Sequence, residues 1–308
     1  MDSSRECHSR RTMTHVSYGT PRKLPKPASL VGRVVVLDIA FAGLVGGGFD
    51  KVTKKLIDGL GGRLAMWVDH HDHDRHADFA GNPRFLLAKK AEHGACPEMV
   101  TPELVQQVGQ VDTILCHNDF DGLASAAKWL RGGLEAYPGA DNDARAIDTR
   151  MGTPSGVGER FDRALRARPG DPSLCDLIVR HLERGLSGEA NWKPIDEAAA
   201  ELIPIERETA RAARAYRCFD RRRGGSVAYL DVTEGYGRLD KTELLLLGQK
   251  RAQISVVVDE HNVIVAAPFD SGLNFLHIFG LDGGMPTRVS LPRKDLDDAL
   301  ARLEVDFV

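Results

Sequence analysis

The sequence predicts an α/β fold, in which a mainly parallel sheet flanked by helices is followed by a smaller α+β C-terminal domain. Short runs of apolar, β-branched residues alternate with helical patterns, which is the order of elements in a layered α/β domain. These runs contain no alternating polar positions, as expected of parallel strands that are buried on both faces. The chain of 308 residues, 42% hydrophobic and 28% charged, is long enough for about two domains.

Residues 1–30 are predicted to be a disordered basic tail, because they are rich in Ser, Arg, Lys and Pro and show no periodicity. A basic docking arm is the alternative. The first ordered domain is expected over 31–185, with strands at 34–37, 64–68, 111–116 and 145–147. Its helices are predicted at 49–60, 83–92, 102–108, 123–134, 157–167 and 174–184.

A second domain is predicted over 225–308, after a helical linker over 186–224 in which a long helical pattern spans 195–217. Its strands are expected at 226–232, 254–258 and 263–267. The last two are separated by the short turn Glu260-His261-Asn262, which predicts a hairpin. This domain therefore differs from the first in its local, antiparallel strand pairing.

The composition excludes several classes of function. The chain has 41 Lys and Arg against 44 Asp and Glu, a net charge of −3, and residues 1–30 carry +4, which leaves −7 for the remainder. An acidic body argues against neutralising the phosphates of long duplex nucleic acid, although metal ions could attract a small anionic substrate. The sequence has no window approaching 18 uninterrupted apolar residues, so no membrane span is predicted. Five scattered cysteines and the lack of an apolar leader predict reduced thiols and a cytoplasmic location.

Acidic and imidazole side chains follow three apolar strands of the first domain. Because the carboxyl ends of parallel strands share one edge of a sheet, these side chains should converge there. The set consists of Asp38, Asp69, His70, His71, His117, Asp119 and Asp121. Alternate residues of an extended strand end point to one side, so His117, Asp119 and Asp121 are expected to face one pocket.

A cluster of this composition predicts bound divalent cations. Several carboxylates close together repel one another, and cations remove that penalty. Mixed oxygen and imidazole ligands suit Mn²⁺, with Mg²⁺ as the alternative. One carboxylate can bridge two ions about 3.5–4 Å apart, the arrangement used for displacement at phosphorus. Each segment alone could be a helix cap, an Asx-turn or a solvated loop, but their coincidence at three strand ends favours a metal site.

The motifs that carry these residues resemble those of the DHH phosphoesterase superfamily, which includes RecJ-like exonucleases, small-oligonucleotide phosphodiesterases and manganese pyrophosphatases. VDHHDHD resembles the Asp-His-His strand end, CHNDFDGLASA the HxDxDGxxSA motif, and VVVLDIA the strand that ends in a metal-bridging Asp. The similarity is specific over 31–150 and weaker over 225–295, which looks like a divergent DHH-associated, substrate-binding domain. The HxDxDG motif is last here and first in the superfamily, so the chain resembles a circular permutation.

The resemblance implies a metal-binding role for the residues at the strand ends. His117 and Asp119 would ligate the first of two divalent metal ions. Asp121 and His70 would ligate the second ion, and Asp38 would bridge both. The sheet can keep every strand end in place after a permutation, so this assignment does not depend on the order of the motifs along the chain.

The resemblance also implies a further carboxylate ligand and two catalytic residues. The ligand would be Asp148 in the segment ARAIDTRMG, with Asp141 or Asp143 as alternatives and a turn or helix cap as the other interpretation of Asp148. His71 would contact the phosphoryl group of the substrate. Asp69 would orient the histidines.

Substrate-binding residues are expected near the edge of the sheet and in the C-terminal domain. Gly283 and Gly284 would allow close backbone approach, and Arg288 could hold a phosphate, although a plain turn is the alternative. The His that the superfamily places after these glycines is replaced by Met285. Arg150 is a further candidate phosphate ligand.

Together these features predict a hydrolase that acts on phosphodiester or phosphomonoester bonds through a water that two metal ions activate. The expected substrate is a nucleotide, a cyclic dinucleotide or a short single-stranded oligonucleotide. A manganese-dependent inorganic pyrophosphatase is the alternative within the same chemistry, but the HNDFD spacing is shorter than the HxxxDxD of that branch. A catalytically weak nucleotide-binding sensor is the alternative from another class, and self-association into a homo-oligomer is left open.

Overall fold

Five parallel strands form the first sheet within the described residues, in the spatial order β1–β6–β2–β3–β5. They are β1 His15–Gly19, β2 Val34–Leu37, β3 Leu64–Asp69, β5 Phe85–Leu87 and β6 Thr113–His117. All neighbouring pairs in this sheet run parallel, so the predicted α/β class is confirmed. The structure is a computed structural model that describes residues 14–222 and 224–305.

The central strand β2 explains why the sequence shows an uninterrupted apolar run. Val35 and Leu37 face a hydrophobic core on one side of the sheet, and Val34 and Val36 face a second core on the other side. All four side chains are completely buried. Successive side chains of a strand point to opposite faces, so a strand covered on both faces has no position for a polar residue.

Helices accompany this sheet along the chain. They are α1 Thr53–Leu60, α2 Pro102–Val108, α3 Phe120–Leu130, α4 Ala140–Thr149, α5 Gly156–Ala167, α6 Pro172–Glu183, α7 Trp192–Ala200 and α8 Leu202–Ala212. The helix expected over 195–217 is two helices, which meet at Glu201. Pro204 in the first turn of α8 explains the break, because proline has no N–H to donate and clashes with the carbonyl four residues earlier.

Two predicted elements of the first domain have the wrong type. The helix expected over 83–92 is wrong, because Phe85–Leu87 forms strand β5 beside β3. The strand expected over 145–147 is also wrong, since these residues lie inside helix α4. Ala144 and Ile147 face the core at helical spacing, which two or three apolar residues cannot distinguish from a strand by sequence alone.

The predicted disordered tail is wrong for residues 14–30, while residues 1–13 lie outside the described residues. His15–Gly19 adds strand β1 to the edge of the sheet beside β6. The Tyr18 hydroxyl donates to Asp176 at 2.7 Å, and the Arg63 guanidinium donates to the carbonyl of Leu30 at 2.6 Å. Strand pairing and these polar contacts order a segment whose composition alone indicates disorder.

The second sheet is mixed and has the order β12–β10–β9–β8–β7. Its strands are β7 Arg217–Asp220, β8 Ser226–Asp231, β9 Ile254–Val258, β10 Asn262–Ala266 and β12 Arg288–Pro292. They are accompanied by α9 Lys241–Gln249, α10 Phe275–Phe279 and α11 Leu296–Arg302. The predicted β9–β10 hairpin is confirmed. Strand β7 lies within the predicted linker over 186–224, so the second sheet begins before residue 225.

The domains that contain the two sheets are joined by a short antiparallel ladder. It is formed by β4 Asp72–His73 and β11 Gly283–Gly284. Asp282 strengthens the junction, because its carboxylate accepts the backbone N–H of Leu44 at 2.8 Å. A Cβ on Gly283 would lie 2.3 Å from a ring carbon of His73, so only glycine allows this approach. The junction places the C-terminal domain against the carboxyl end of β3.

In the part of the chain that the structure describes, no helix combines the length and the apolar character needed to cross a membrane.

The hairpin turn generates a stability prediction. The Asp259 carboxylate accepts the backbone N–H groups of His261 at 2.7 Å and Asn262 at 2.8 Å, and it pairs with Lys241. Replacing Asp259 by Ala should lower the free energy of unfolding at pH 7 by about 1–3 kcal/mol, the range for losing such hydrogen bonds. Urea unfolding followed by circular dichroism measures the difference, with the exposed Glu260→Ala as matched control.

The same variant should show a defined pH dependence. Partial burial would raise the pKa of Asp259, but Lys241 and the two N–H groups lower it to about 2. The stabilisation is therefore complete above the ordinary pKa of about 3.9 and is lost as the pH falls toward 2. The difference between wild type and Asp259→Ala should shrink over that interval, and a constant difference would contradict this account.

Candidate metal centre

The strand ends of the first sheet place the predicted ligands at one edge. Asp38 follows β2 directly and is 1% exposed. Its backbone φ is 57°, in the left-handed region that residues other than Gly, Asn and Asp rarely adopt. Its N–H donates to the carbonyl of Val68 at 2.9 Å, which ties this strained turn to β3. Backbone strain of this kind is found where a side chain must be held in one direction for function.

His117, Asp119 and Asp121 converge, but the predicted alternation along an extended strand is wrong. Strand β6 ends at His117, Asp119 caps helix α3 by accepting the N–H of Gly122 at 3.1 Å, and Asp121 lies in the first turn of that helix. A Cβ on Gly122 would lie 2.4 Å from the carbonyl oxygen of His117. This glycine therefore permits the tight strand-to-helix turn that brings the three side chains together.

Asp38, His117 and Asp119 form the first group, whose candidate ligand atoms all lie within 4.8 Å of one another. His117 Nδ1 is 2.7 Å from an oxygen of Asp119 and 3.7 Å from Asp38 Oδ2. Asp38 Oδ2 is buried and has no hydrogen-bond partner among the described residues. A buried carboxylate oxygen without a partner is costly, and a divalent cation would compensate for it. The donor set of this group fits a divalent cation.

His70, Asp121 and Asp148 form the second group, with the same 4.8 Å limit between ligand atoms. His70 Nδ1 lies 2.8 Å from the carbonyl oxygen of His93 and donates to it, which leaves Nε2 for the cluster. That nitrogen is 3.0 Å from Asp121, 3.1 Å from Asp38 and 3.9 Å from Asp148. The backbone N–H of Cys96 donates to Asp121 at 3.0 Å and orients its carboxylate.

Asp148 reaches the cluster from the last turn of α4, whereas the prediction placed it after a strand. The two alternatives to it lie elsewhere. Asp141 pairs with Lys128 at 2.5 Å, and Asp143 accepts the Ser155 hydroxyl at 2.6 Å. Of the three carboxylates considered from the sequence, only Asp148 shares a group with His70 within the described residues.

His71 forms a third group of candidate ligand atoms with Asp38 and His70, and Asp69 lies beside it. His71 Nδ1 is 2.8 Å from the fully buried Asp69 and 3.9 Å from Asp38. Burial would raise the pKa of Asp69, but the neighbouring His71 lowers it below its usual range. Asp69 therefore holds the His71 ring, which is 20% exposed, with its Nε2 left for another contact.

Lys90 is a member of the cluster that the sequence analysis missed. It follows β5 and is 1% exposed, and its Nζ lies 2.9 Å from His70 Nε2 and pairs with Asp148. The signal for it was the apolar triplet Phe85–Leu87, which was interpreted as part of a helix. Read as a fourth strand, that triplet would have directed attention to a charged residue near its carboxyl end.

The electrostatics of the cluster show an excess of negative charge. Burial and the carboxylates of Asp121 and Asp119 raise the pKa of Asp38 well above its usual range. Burial would lower the pKa of His117, but Asp119 raises it to about 9. Burial would likewise lower the pKa of Lys90, but Asp148, Asp121 and Asp38 raise it above its usual range. These three groups are thus shifted toward the state that reduces the net negative charge, as expected of carboxylates crowded without a cation.

Two of the four predicted substrate residues, Arg150 and Arg288, line a cleft of about 150 Å³ between the two domains, together with Asp148 and Met285. Arg150 forms a two-pronged ion pair with Asp162, at 3.0 Å for each contact. Arg288 is exposed and has no ion pair within residues 14–222 and 224–305. A larger groove of about 1130 Å³, on the β1 side of the sheet, contains none of the cluster residues.

The other two predicted substrate residues, Gly283 and Gly284, lie outside the lining of this cleft. Their backbones pair with Asp72 and His73 in the β4–β11 ladder, so this turn makes a contact between domains. The close approach that Gly283 permits is to the His73 ring. Their contact with substrate stays a prediction.

Comparison with known proteins gives structural similarities at low sequence identity. No protein-family model and no curated protein sequence matches the chain. A structure of exonuclease RecJ bound to manganese is similar over 96% of this chain and 90% of that chain, at 11% identity and a TM-score of 0.47. A pGpG-specific phosphodiesterase, PggH, from Vibrio cholerae covers 89% of this chain and 97% of its own, at 12% identity and a TM-score of 0.38.

A putative family II inorganic pyrophosphatase from Methanococcus jannaschii is also similar, at 12% identity and a TM-score of 0.22, over 95% of this chain and 98% of that chain. All three TM-scores lie below 0.5. The functional assignment below therefore rests on the geometry of the cluster.

The charge imbalance generates a prediction for the metal-free protein. In EDTA, Asp38→Asn should unfold at the same temperature as wild type or higher, because the variant removes a carboxyl group whose charged form is disfavoured by burial and by two neighbouring carboxylates. Asn also tolerates a positive φ. Mn²⁺ should stabilise wild type, by about 2.7 kcal/mol at 100 times its Kd, and should stabilise the variant far less.

Thermal unfolding in EDTA and in Mn²⁺ tests both parts of this prediction. The exposed Asp58→Asn is the matched control, which should respond to Mn²⁺ like wild type. Equal stabilisation of Asp38→Asn and wild type by Mn²⁺ would remove Asp38 from the metal site.

Proposed function

We propose that the chain is a metal-dependent phosphoesterase that hydrolyses phosphodiester or phosphomonoester bonds of a nucleotide, a cyclic dinucleotide or a short single-stranded oligonucleotide. The observation that carries the proposal is the first group, in which Asp38, His117 and Asp119 converge from two strand ends and a helix cap. Its ligand types suit a hard divalent cation such as Mn²⁺ or Mg²⁺. Such a site at the carboxyl edge of a parallel sheet is where α/β proteins bind ligands.

We assign ion binding and contact with the phosphoryl group to different residues of the cluster. A divalent ion, when bound, lowers the pKa of a coordinated water and offsets charge on phosphoryl oxygens. Asp38, His117 and Asp119 would hold that ion. His71 is oriented through its Nδ1 by Asp69, so its Nε2 is available to contact the phosphoryl group.

The interdomain cleft supports a small substrate. Arg288 from the second sheet and Arg150 from the end of α4 both line it, together with Asp148. Arg150 is already paired with Asp162, so Arg288 is the stronger candidate for a phosphate contact. A cleft of about 150 Å³ has room for part of a ligand, such as a phosphate group, and an acidic chain with a net charge of −3 disfavours long duplex nucleic acid.

The number of bound ions and the location of the protein are further parts of the proposal. The resemblance implies two metal ions, and the described residues of the cluster contain three overlapping groups of ligand atoms, but the second group also contains the Lys90 ammonium. A cytoplasmic location follows only from the sequence features described above. Inorganic pyrophosphatase activity and ligand binding without turnover are the alternatives that a substrate panel would separate.

The function is tested by incubating the protein with Mn²⁺ and a panel of pAp, dinucleotides, cyclic dinucleotides and pyrophosphate. Phosphate release and product mass should show turnover of a nucleotide substrate. Asp119→Asn should lower kcat/KM by more than about 100-fold, because residues that merely position metal ligands are already worth 10–100-fold. Asn is a good helix N-cap, so α3 should remain folded.

Asp298→Asn, at an exposed carboxylate on α11, is the control and should retain wild-type kinetics. Turnover of pyrophosphate alone would favour the pyrophosphatase alternative, and nucleotide binding without products would favour the sensor. Full activity of Asp119→Asn would contradict the proposed metal site.

The role of Arg288 is tested separately. Arg288→Gln should raise KM by about 10- to 100-fold with a smaller change in kcat, since a hydrogen bond to a charged group contributes about 1.5–3 kcal/mol. Steady-state kinetics on the best substrate of the panel measures both constants. Arg302→Gln, whose guanidinium pairs with Asp298 on the surface, is the matched control. An unchanged KM would exclude Arg288 from the substrate site.

A further inference from the structure

The second group of ligand atoms already contains a cation. Lys90 is 1% exposed, so its ammonium has left water for the interior of the cluster. Transfer of an ammonium into the interior costs free energy unless carboxylates and hydrogen-bond acceptors surround it. The cluster supplies both.

The contacts of Lys90 are those that a metal ion in this group would use. Its Nζ lies 2.9 Å from His70 Nε2, the nitrogen that the backbone contact of Nδ1 leaves for a ligand. It pairs with the carboxylate of Asp148, the second member of the group. His70 Nε2 is in turn 3.0 Å from Asp121, the third member.

The backbone directs Lys90 into this position. The Asp72 carboxylate accepts the backbone N–H of Lys90 at 3.2 Å, and the backbone carbonyl of Asp69 accepts the N–H of Ala88 at 2.9 Å. The bond from Ala88 continues the β3–β5 pairing beyond Phe85–Leu87. The lysine side chain therefore starts at the same sheet edge as Asp69 and His70, which explains how it reaches them.

An ammonium and a divalent ion cannot both be held by this group. They would compete for the same nitrogen and carboxylate, and their like charges would repel strongly at a separation of a few ångströms. The first group differs, because Lys90 makes no hydrogen bond or ion pair with His117 or Asp119 among the contacts of the described residues. The third group, formed by Asp38, His70 and His71, shares with Lys90 the His70 nitrogen that Lys90 contacts. A cation is thus built in beside His70 and has to be acquired at the first group.

We propose that the Lys90 ammonium takes the place of a second divalent ion, so that the chain binds one divalent metal ion, at Asp38, His117 and Asp119. The inference rests on the proposed metal-dependent function, and it departs from the two ions that the resemblance implies. Lys90 would then supply a fixed positive charge beside the bound ion, and chelators cannot remove it.

Metal stoichiometry tests the inference directly. Equilibrium dialysis against Mn²⁺, followed by elemental analysis, should give one ion per chain for wild type and two for Lys90→Met. Lys128→Met is the matched control, because Lys128 is also buried and pairs with Asp141 outside the cluster. The control should bind one ion.

Two further variants test the inference without changing Lys90. Asp119→Asn should lose the ion, whereas Asp148→Asn should keep it, since Asp148 pairs with Lys90 in this arrangement. With two bound ions, each variant would instead lose one and keep one. Thermal unfolding in EDTA adds an independent measurement: Lys90→Met should be less stable than wild type there and should recover the difference in Mn²⁺.

The outcomes separate this inference from the proposed function. Two ions in wild type would overturn the role of Lys90 and leave the metal-dependent phosphoesterase intact. One ion in both wild type and Lys90→Met would also overturn it, because Lys90 would not be what excludes the second ion. No bound ion in any variant would contradict the proposed function itself.

Discussion

The neutralisation of carboxylates at one edge of a parallel sheet is the constraint on which the rest of this structure depends. Asp38 and Asp121 are almost completely buried there, and the pKa of each is raised, first of all by burial. The negative charge of these carboxylates is compensated by imidazoles and by a buried lysine, and one group of ligand atoms suits a divalent cation. Carboxylates in such an environment cost stability, so their presence indicates that the site serves a function.

The backbone conformations and hydrogen bonds around the cluster are consistent with that constraint. Asp38 adopts a left-handed backbone, and Gly122 allows helix α3 to start directly against the end of β6. Asp69 holds His71, and a backbone carbonyl holds His70. Each device limits the freedom of a ligand or of its neighbour, which reduces the entropy lost when a cation or substrate binds. The β4–β11 ladder has a similar effect on a larger scale, because it ties the domain that carries Arg288 to the Asp-His-His strand end.

The sequence-based predictions succeeded where a pattern is local and strong. The apolar runs of β2, β3 and β6 predicted parallel strands, and the residues after them were predicted to converge. The predictions failed where only two or three apolar residues were available to distinguish a strand from a helix. The triplet at β5 and the segment 145–147 are too short for periodicity to separate strand from helix. The composition of residues 14–30 indicated disorder, but pairing with β6 orders His15–Gly19.

The sequence by itself determined which side chains can meet, because a parallel sheet brings the carboxyl ends of its strands to one edge whatever their separation along the chain. Only the tertiary structure determined how Lys90 and Asp148 reach these side chains. The position of Lys90 depends on β5 pairing with β3, and that of Asp148 on α4 packing against the core. The triplet before Lys90 is too short to be recognised as a strand, and the partners of Lys90, His70 and Asp148, are 20 and 58 residues away along the chain.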